Sequence, residues 1–308
     1  MIRQGPPCEA VEQAYHRALS QALAVQHSLP GIIRARGAHR LDLLQRMSTN
    51  DLRGMEGGDV RQTVLTTALA HVVDVVWAVA RADELWVIAS PGRGAQVQNW
   101  LQRHIFFQDD VALSQVTEMM AHWGVYGPAA GQLLARFADL TDDIGPGRAV
   151  EFAGGLAWRE PVLDGVRLLL SAEAAEVVRQ AWQVPDPESA SAAYQILRIE
   201  AGEPEVGCEI EADSIPLEVG LRRAVSFSKG CYLGQEIIAR LDSRGRQAWQ
   251  LKGLVLEGEV GAGAEVRAGG WSRRSGDQLR PLPPLGTDCP SQATPGSAGG
   301  RFTAGGRG

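Results

Sequence analysis

The feature that most constrains this chain is a block of β-branched residues set between two helix-like stretches. Thr63 to Ala70 and Val72 to Ala80 are rich in Val and Thr, Ala82-Asp83-Glu84 is a turn, and Leu85 to Ala89 returns. Before the block, Leu41, Leu44 and Met47 share one side of a helix over 38–47. After it, Pro91-Gly92 opens a helix carrying Val97, Trp100, Leu101 and Ile105. The rest of the chain follows in the same mixed order. A helix is expected over 9–29, a strand at Ile32 to Ala35, a strand and turn at Trp123 to Pro128, and a helix over 129–139. Paired strands are expected at 149–158 and 164–171, and helices at 171–182 and 188–200. Strands and helices in mixed order predict an α+β fold.

The character of the chain changes near its end. Trp249 to Val260 alternates like a strand that opens a small β domain. From 269 to 308 Gly, Pro, Ser, Arg and Thr dominate, and such a stretch cannot bury a core, so disorder is expected there. The abrupt loss of patterning also fits a frameshift in the gene, an idea that barrel-like strands in another reading frame would support. The organisation expected is an N-terminal helix over 1–30, α+β domains over 31–245, the start of a β-barrel over 246–268, and the tail 269–308.

No run of eighteen apolar residues exists to span a bilayer, and the first residues show no secretory apolar region, so a cytoplasmic protein is expected. The four cysteines, Cys8, Cys208, Cys231 and Cys289, form no C-x-x-C pair. That argues against a metal site made by this chain alone, and a reducing compartment argues against disulfides. The net charge of -6 argues against direct nucleic-acid binding. Arg222, Arg223, Lys229, Arg240, Arg244, Arg246 and Lys252 nevertheless cluster in one segment. Such a segment suits an anionic small ligand, or else is a solvated surface with ordinary ion pairs.

The densest local signal runs from Phe227 to Arg240. Gly230 and Gly234 bracket Cys231 and permit an irregular backbone. Lys229 stands two residues before the thiol, where a cation favours thiolate. Gln235 to Ala239 reads as the start of a helix, and Tyr232 offers a flat face to a heteroaromatic ring. The alternative is that Cys231 is a small buried hydrophobe. Further upstream, Glu200 ends a helix before Gly202 and Pro204. A carboxylate there can accept two N–H groups from a ligand ring, or it is a solvated acid.

Arg198-Ile199-Glu200-Ala201-Gly202, Ile215-Pro216-Leu217-Glu218 and Lys229-Gly230-Cys231-Tyr232-Leu233-Gly234-Gln235-Glu236 together resemble the folate-binding YgfZ family. Leu43 to Leu52 and Gly124 to Pro128 resemble it less specifically, and the similarity covers about residues 30 to 260. The resemblance implies a fold like that of the glycine-cleavage T-protein, with interlocked α+β domains around a central folate cleft, then a C-terminal β-barrel. It implies a protein that binds tetrahydrofolate and supports the assembly or repair of iron–sulfur enzymes, including those that modify tRNA. By that resemblance Glu200 is the expected pterin contact, with Arg198, Tyr232, Gln235 and Arg240 around the folate, and Cys231 with Lys229 carries the chemistry.

The rival with the same fold is an aminomethyltransferase, whose resemblance implies an Asp after a strand ending in Asn-Ala-Ser-Asn. Here Val87 to Asn99 contains no carboxylate. Two departures from the family pattern stand out. Ala70-His71-Val72-Val73-Asp74 replaces its small glycine-rich turn, and its last strands are absent after about Ala268.

Overall fold

A computed structural model describes residues 8–116, 120–135, 144–152, 155–182, 184, 186–245 and 249–253. Two five-stranded sheets, antiparallel in every pairing, make the core. The first sheet holds β2 (Pro30–Arg36), β3 (Val60–Thr66), β4 (Val72–Ala80), β5 (Glu84–Pro91) and β6 (Ala112–Gln115), in the order β3-β4-β5-β2-β6. The second holds β1 (Leu23–Gln26), β7 (Met120–Tyr126), β8 (Ala149–Phe152), β9 (Gly155–Glu160) and β10 (Gly165–Ser171), in the order β1-β7-β10-β9-β8. The chain therefore enters the second sheet, builds the first, and returns. The first sheet is one stretch of sequence inserted between β1 and β7 of the second, which interlocks them.

The period-2 alternation of the strands sets which side chains meet which layer. On the outer face of the first sheet, Val76, Ala78 and Val87 pack on α2 (Arg40–Met47) and α3 (Gly94–Gln102) through Leu43, Leu44, Val97 and Leu101. Its inner face gives Ile32, Val60, Val79 and Ile88, which meet Leu156, Trp158 and Leu169 of the second sheet. Outside the second sheet lie α4 (Ala130–Leu134) and α5 (Ala172–Ala181), with Trp123, Val125, Leu168 and Val178 between. The β1–β7 part of its inner face is covered by α1 (Cys8–Ser20) and α6 (Pro187–Glu200) through Ala14, Ala18, Ala190 and Tyr194. A seam thus runs where the first sheet, the second sheet and α6 meet. Backbone bonds from Val60 to Gly147 (2.8 Å) and from Ala149 to Gly58 (2.7 Å) join the β3 and β8 edges.

Three expectations change. The helix over 9–29 ends at Ser20, and Leu23–Gln26 is a strand paired with Trp123–Tyr126. Leu23-Ala24-Val25 is buried on both faces, so its apolar run has no period to separate strand from helix. The single strand expected over 149–158 is two strands, β8 and β9. At Gly155 a Cβ would meet the Leu169 carbonyl oxygen at 1.7 Å, so glycine is what lets β9 start there. Disulfides, argued against from the compartment, do occur: Cys208 is disulfide-bonded, and Cys231 is a free, exposed thiol.

Among the described residues no helix is long and apolar enough to cross a membrane. Residues 249–253 are irregular, and the Leu251 N–H donates to the Glu218 carbonyl at 2.7 Å. The rest of the expected barrel strand and the tail 269–308 lie outside the described residues.

Candidate functional site

The segment Ser48-Thr49-Asn50-Asp51 ends α2, and its residue types favour local hydrogen bonds over helix. In the fold it becomes a hub. Thr49 Oγ1 donates to the Ala224 carbonyl at 2.6 Å, and the Ser226 N–H donates to the Thr49 carbonyl at 2.9 Å. Asn50 takes a bond from its N–H to Thr63 Oγ1 and another from Nδ2 to the Gln62 carbonyl, both 2.8 Å. The hub therefore ties the chain that precedes Cys231 to strand β3.

Lys229 completes that tie. Its Nζ donates to the carbonyls of Gln45 (2.8 Å), Ser48 (2.8 Å) and Asn50 (2.6 Å), at the carbonyl-rich end of α2. An ammonium suits the negative end of a helix, and its three protons match the three acceptors. Burial pulls its pKa down to about 8. The ammonium expected to support the thiol is thus engaged by α2. The following residues are anchored in turn: Thr66 Oγ1 donates to the Leu233 carbonyl at 2.6 Å, and the Leu233 N–H to the Arg46 carbonyl at 3.1 Å.

Cys231 stands exposed between these anchors, ahead of α7 (Gln235–Arg244). Gly234 starts the helix with φ of 86°, and a Cβ there would meet the Thr67 carbonyl oxygen at 2.7 Å. Ala70, the other side of that approach, itself has φ of 60°. Tyr232 is buried, packed on Ala70, Leu217, Val225 and Ile238, and burial raises its pKa to about 12. Its ring also faces the Lys229 ammonium, 5.1 Å from the centroid. Gln235 begins α7 half-buried, and Arg240 is exposed and pairs with Glu236 at 2.6 Å. Other cations of the basic segment also have internal partners: Arg222 with Asp242, and Arg223 with Glu203.

Glu200 closes α6, and its carboxylate accepts from Tyr15 Oη of α1 at 2.7 Å. Arg198 is buried. It bonds Gln195 Oε1 (2.5 Å), the Glu203 carbonyl (3.2 Å) and Glu209 (2.8 Å), and pairs with Glu205 at 3.1 Å. It clasps the loop that follows α6. The expected residues thus form two groups, one before α7 and one at the end of α6, with Arg223 and Glu203 joining the two segments.

The residues that sequence reasoning missed lie in the seam between sheets. Arg167 is enclosed there, paired with Glu160, within 3.1 Å of Tyr194 Oη and 3.5 Å of His122 Nε2. His27 lies against His122 and donates to or accepts from Tyr126 Oη at 2.8 Å. Burial lowers the pKa of both histidines, His122 to about 3. Gln62 Nε2 reaches Glu203 at 3.4 Å, and burial raises the Glu203 pKa. Gln62 stands between Arg61 and Thr63 and Glu160 follows Arg159, so neither marks itself out in its strand, and their spacing in sequence carried no motif. Asp74 is a further surprise. It is fully buried in β4, accepts from Ser90 Oγ (2.6 Å) and N–H (3.2 Å), and burial raises its pKa to about 6. The stretch after β5 has no acid of its own, yet an acid from the next strand binds it.

Residues 7–153 match the GCVT N-terminal domain model. The chain carries an aminomethyltransferase-like fold. It superposes on the crystal structure of glycine cleavage system aminomethyltransferase T from Bartonella henselae with a TM-score of 0.71 at 19% identity, covering 83% of this chain and 73% of that one. In sequence it is 28% identical over 253 residues to a chloroplastic protein of Arabidopsis thaliana named as a transferase, covering 78% of this chain and 57% of the plant protein. It is 27% identical over 261 residues to an aminomethyltransferase of Pelodictyon phaeoclathratiforme, covering 79% of this chain and 71% of that protein. The chain thus spans little more than half the length of the plant relative.

Proposed function

We propose that this chain is a tetrahydrofolate-binding accessory protein of the YgfZ kind, which supports the assembly or repair of iron–sulfur enzymes, tRNA-modifying ones included. The observation that carries the reading is the Cys231 loop: an exposed free thiol on a segment pinned by Lys229, Thr66 and Arg46. Pinning holds the thiol at a fixed place on the surface, where a cluster-bearing client can meet it.

The fold supports folate as the ligand. In the seam Trp77 and Trp158 stand in tilted ring contact, centroids 6.0 Å apart, and Glu160 keeps a buried carboxylate oxygen without a partner. Glu200, with Tyr15 fixing its carboxylate, and Arg240 are proposed as further contacts, Arg198 and Gln235 as residues that position them, and Tyr232 as the packing under Lys229. Tetrahydrofolate, when bound, supplies a carrier for one-carbon units. The chain's own residues orient it and exclude water around it.

The second reading is a folate-dependent aminomethyltransferase, favoured by the names of relatives. Against it, the segment after β5 lacks a carboxylate, and Asp74 is closed from solvent and held by Ser90. A transfer needs an acid or base that reaches the substrate.

The test is a calorimetric titration of wild type and Glu200→Ala with tetrahydrofolate, beside assays of an iron–sulfur client in cells carrying Cys231→Ala. Saturable binding that weakens in Glu200→Ala, with client activity lost in Cys231→Ala, is expected. Aminomethyl transfer by the purified protein would favour the second reading.

A further inference from the structure

Among the described residues seven large apolar side chains stand exposed, and four of them belong to the segments that hold the Cys231 loop: Leu69, Phe106, Phe107 and Phe227. The loop is gripped from two sides. On one side the Leu233 N–H donates to the Arg46 carbonyl at 3.1 Å, and the Arg46 guanidinium lies over the Phe106 ring, 5.0 Å from its centroid. Arg46 also pairs with Asp109 at 2.6 Å, which fixes the turn that carries Phe107. On the other side Thr66 Oγ1 donates to the Leu233 carbonyl, and Gly234 abuts Thr67 and Ala70, the turn that carries Leu69. Phe227 lies shortly before the thiol, next to Ser226, whose N–H is tied to Thr49. The Arg222 guanidinium sits over its ring at 4.6 Å.

Phe107 is 100% exposed and Leu69 61%. Apolar surface gathered in one place gains free energy when it is covered, and such patches mark interaction sites. The charge at its edge says what kind of cover fits. Arg46 and Arg222 each pair with one carboxylate, of Asp109 and Asp242, yet their side chains stay 33% and 62% exposed. Each keeps N–H donors that an incoming carboxylate can take in a forked pair. Aromatic rings with guanidiniums at the edge match the composition of protein–protein hot spots. A bilayer also takes exposed aromatic rings beside cations. A continuous anionic surface would meet the exposed Asp110 and Glu236 too, whereas a protein can place its carboxylates at the guanidiniums alone. A bilayer also has no use for a thiol held in place.

We propose that Leu69, Phe106, Phe107 and Phe227 form a docking collar around Cys231, which seats a client protein through an apolar knob rimmed by carboxylates. The knob covers the rings, and its carboxylates meet Arg46 and Arg222. Seating fixes the client at the thiol, because the bonds that pin the loop also hold the turns of the collar. This rests on the accessory reading and deepens it, because it names the surface by which the client reaches Cys231.

The test is calorimetric titration of the full-length chain with a purified iron–sulfur tRNA-modifying enzyme, at low and at high salt. Wild type, Phe107→Ser and Arg222→Glu are compared, with circular dichroism to confirm folding. Phe107→Ser is expected to weaken client binding by about ten- to thirtyfold, the range for a hot-spot side chain. Its tetrahydrofolate binding is expected to stay at the wild-type value. Arg222→Glu is expected to weaken client binding at low salt and to lose part of the salt dependence that wild type shows. If Arg222→Glu does not fold, Phe107→Ser, whose ring is fully exposed, decides the matter. Client binding unchanged in folded Phe107→Ser overturns the collar, and loss of client activity in Cys231→Ala cells then leaves the accessory reading intact. A wild type that binds no client overturns the collar too. If client activity is also normal in Cys231→Ala cells, the accessory reading falls with it. Without client binding, Phe107-dependent binding to phosphatidylglycerol vesicles would assign the patch to a lipid surface. A dimer that Phe107→Ser dissociates would assign it to a second copy of this chain. Either result overturns the proposal.

Discussion

Lys229 Nζ donates to the carbonyl oxygen of Asn50 at 2.6 Å, and Asn50 Nδ2 in turn donates to the backbone of Gln62. One buried cation therefore couples the loop of Cys231 to the strand that lines the seam. It does so through backbone carbonyls at the end of α2, not through the thiol. Lys229→Met removes a charged donor from three carbonyls and should cost about 3 kcal/mol, in the range for breaking a buried polar network. Urea unfolding measures the cost. Mass-spectrometric labelling of Cys231 with a neutral alkylating reagent measures the consequence. A loosened loop reacts as fast as wild type or faster, whereas loss of an electrostatic helper would slow it.

The two glycines around Cys231 have different burdens. Gly234 has φ of 86° and would press a Cβ against the Thr67 carbonyl oxygen at 2.7 Å and Ala70 at 2.9 Å. Gly230 has nothing within 4 Å of a built Cβ and is not in the left-handed region. Gly234→Ala should destabilise by about 2–4 kcal/mol through strain and overpacking. Gly230→Ala should stay within about 1 kcal/mol of wild type. Thermal unfolding of the pair separates the two roles.

Charging its two histidines should destabilise the seam. His27 and His122 are held neutral, with folded pKa values below the unfolded value near 6.5. Groups depressed in this way contribute stability that is present above about pH 6.5 and is lost as pH falls, each by about 1.4 kcal/mol per pH unit once protonation is complete in the unfolded chain. Asp74 works against them. Its folded pKa is raised to about 6, so its contribution is present below its unfolded value and is lost as pH rises through 6. The raised carboxyls of Glu203 and Glu218 oppose the histidines as well. Denaturant unfolding of wild type and His122→Gln between about pH 6.5 and 4 isolates the histidine share: relative to wild type, the variant should gain stability as pH falls through that window.

Arg198 closes the turn after α6 with Glu205 and Glu209 around it, both Arg198 and Glu209 being nearly inaccessible to solvent. Arg198→Leu would leave the Glu209 carboxylate buried without its cation. The expected cost is about 3–5 kcal/mol. Arg198→Leu paired with Glu209→Leu should recover much of it, because no charge is then stranded. Unfolding of the single and double variants tests that non-additivity.

In the first sheet β3, β4 and β5 were legible because apolar β-branched runs ending in turn residues have few other solutions. The helices α2, α3, α5 and α6 were legible from their apolar spacing. β1 was not: Leu23-Ala24-Val25 is apolar on every side, and only its pairing with Trp123 to Tyr126 makes it a strand. β6 was missed as well. Its burial is only partial, so its sequence shows no marked alternation.

Local chemistry in the sequence determined where the candidate loop lies, because glycines, a lysine and a thiol within a few residues leave their mark regardless of the rest of the chain. The pairing of those residues was decided by tertiary structure. The ammonium of Lys229 meets carbonyls some 180 residues away in the chain, at separations of 179 to 184 residues. Gln62 and Glu160 meet one seam only because the chain leaves one sheet and returns to the other. Hydrogen-bond partners so far apart in sequence are chosen by how layers pack, and no local pattern encodes that choice.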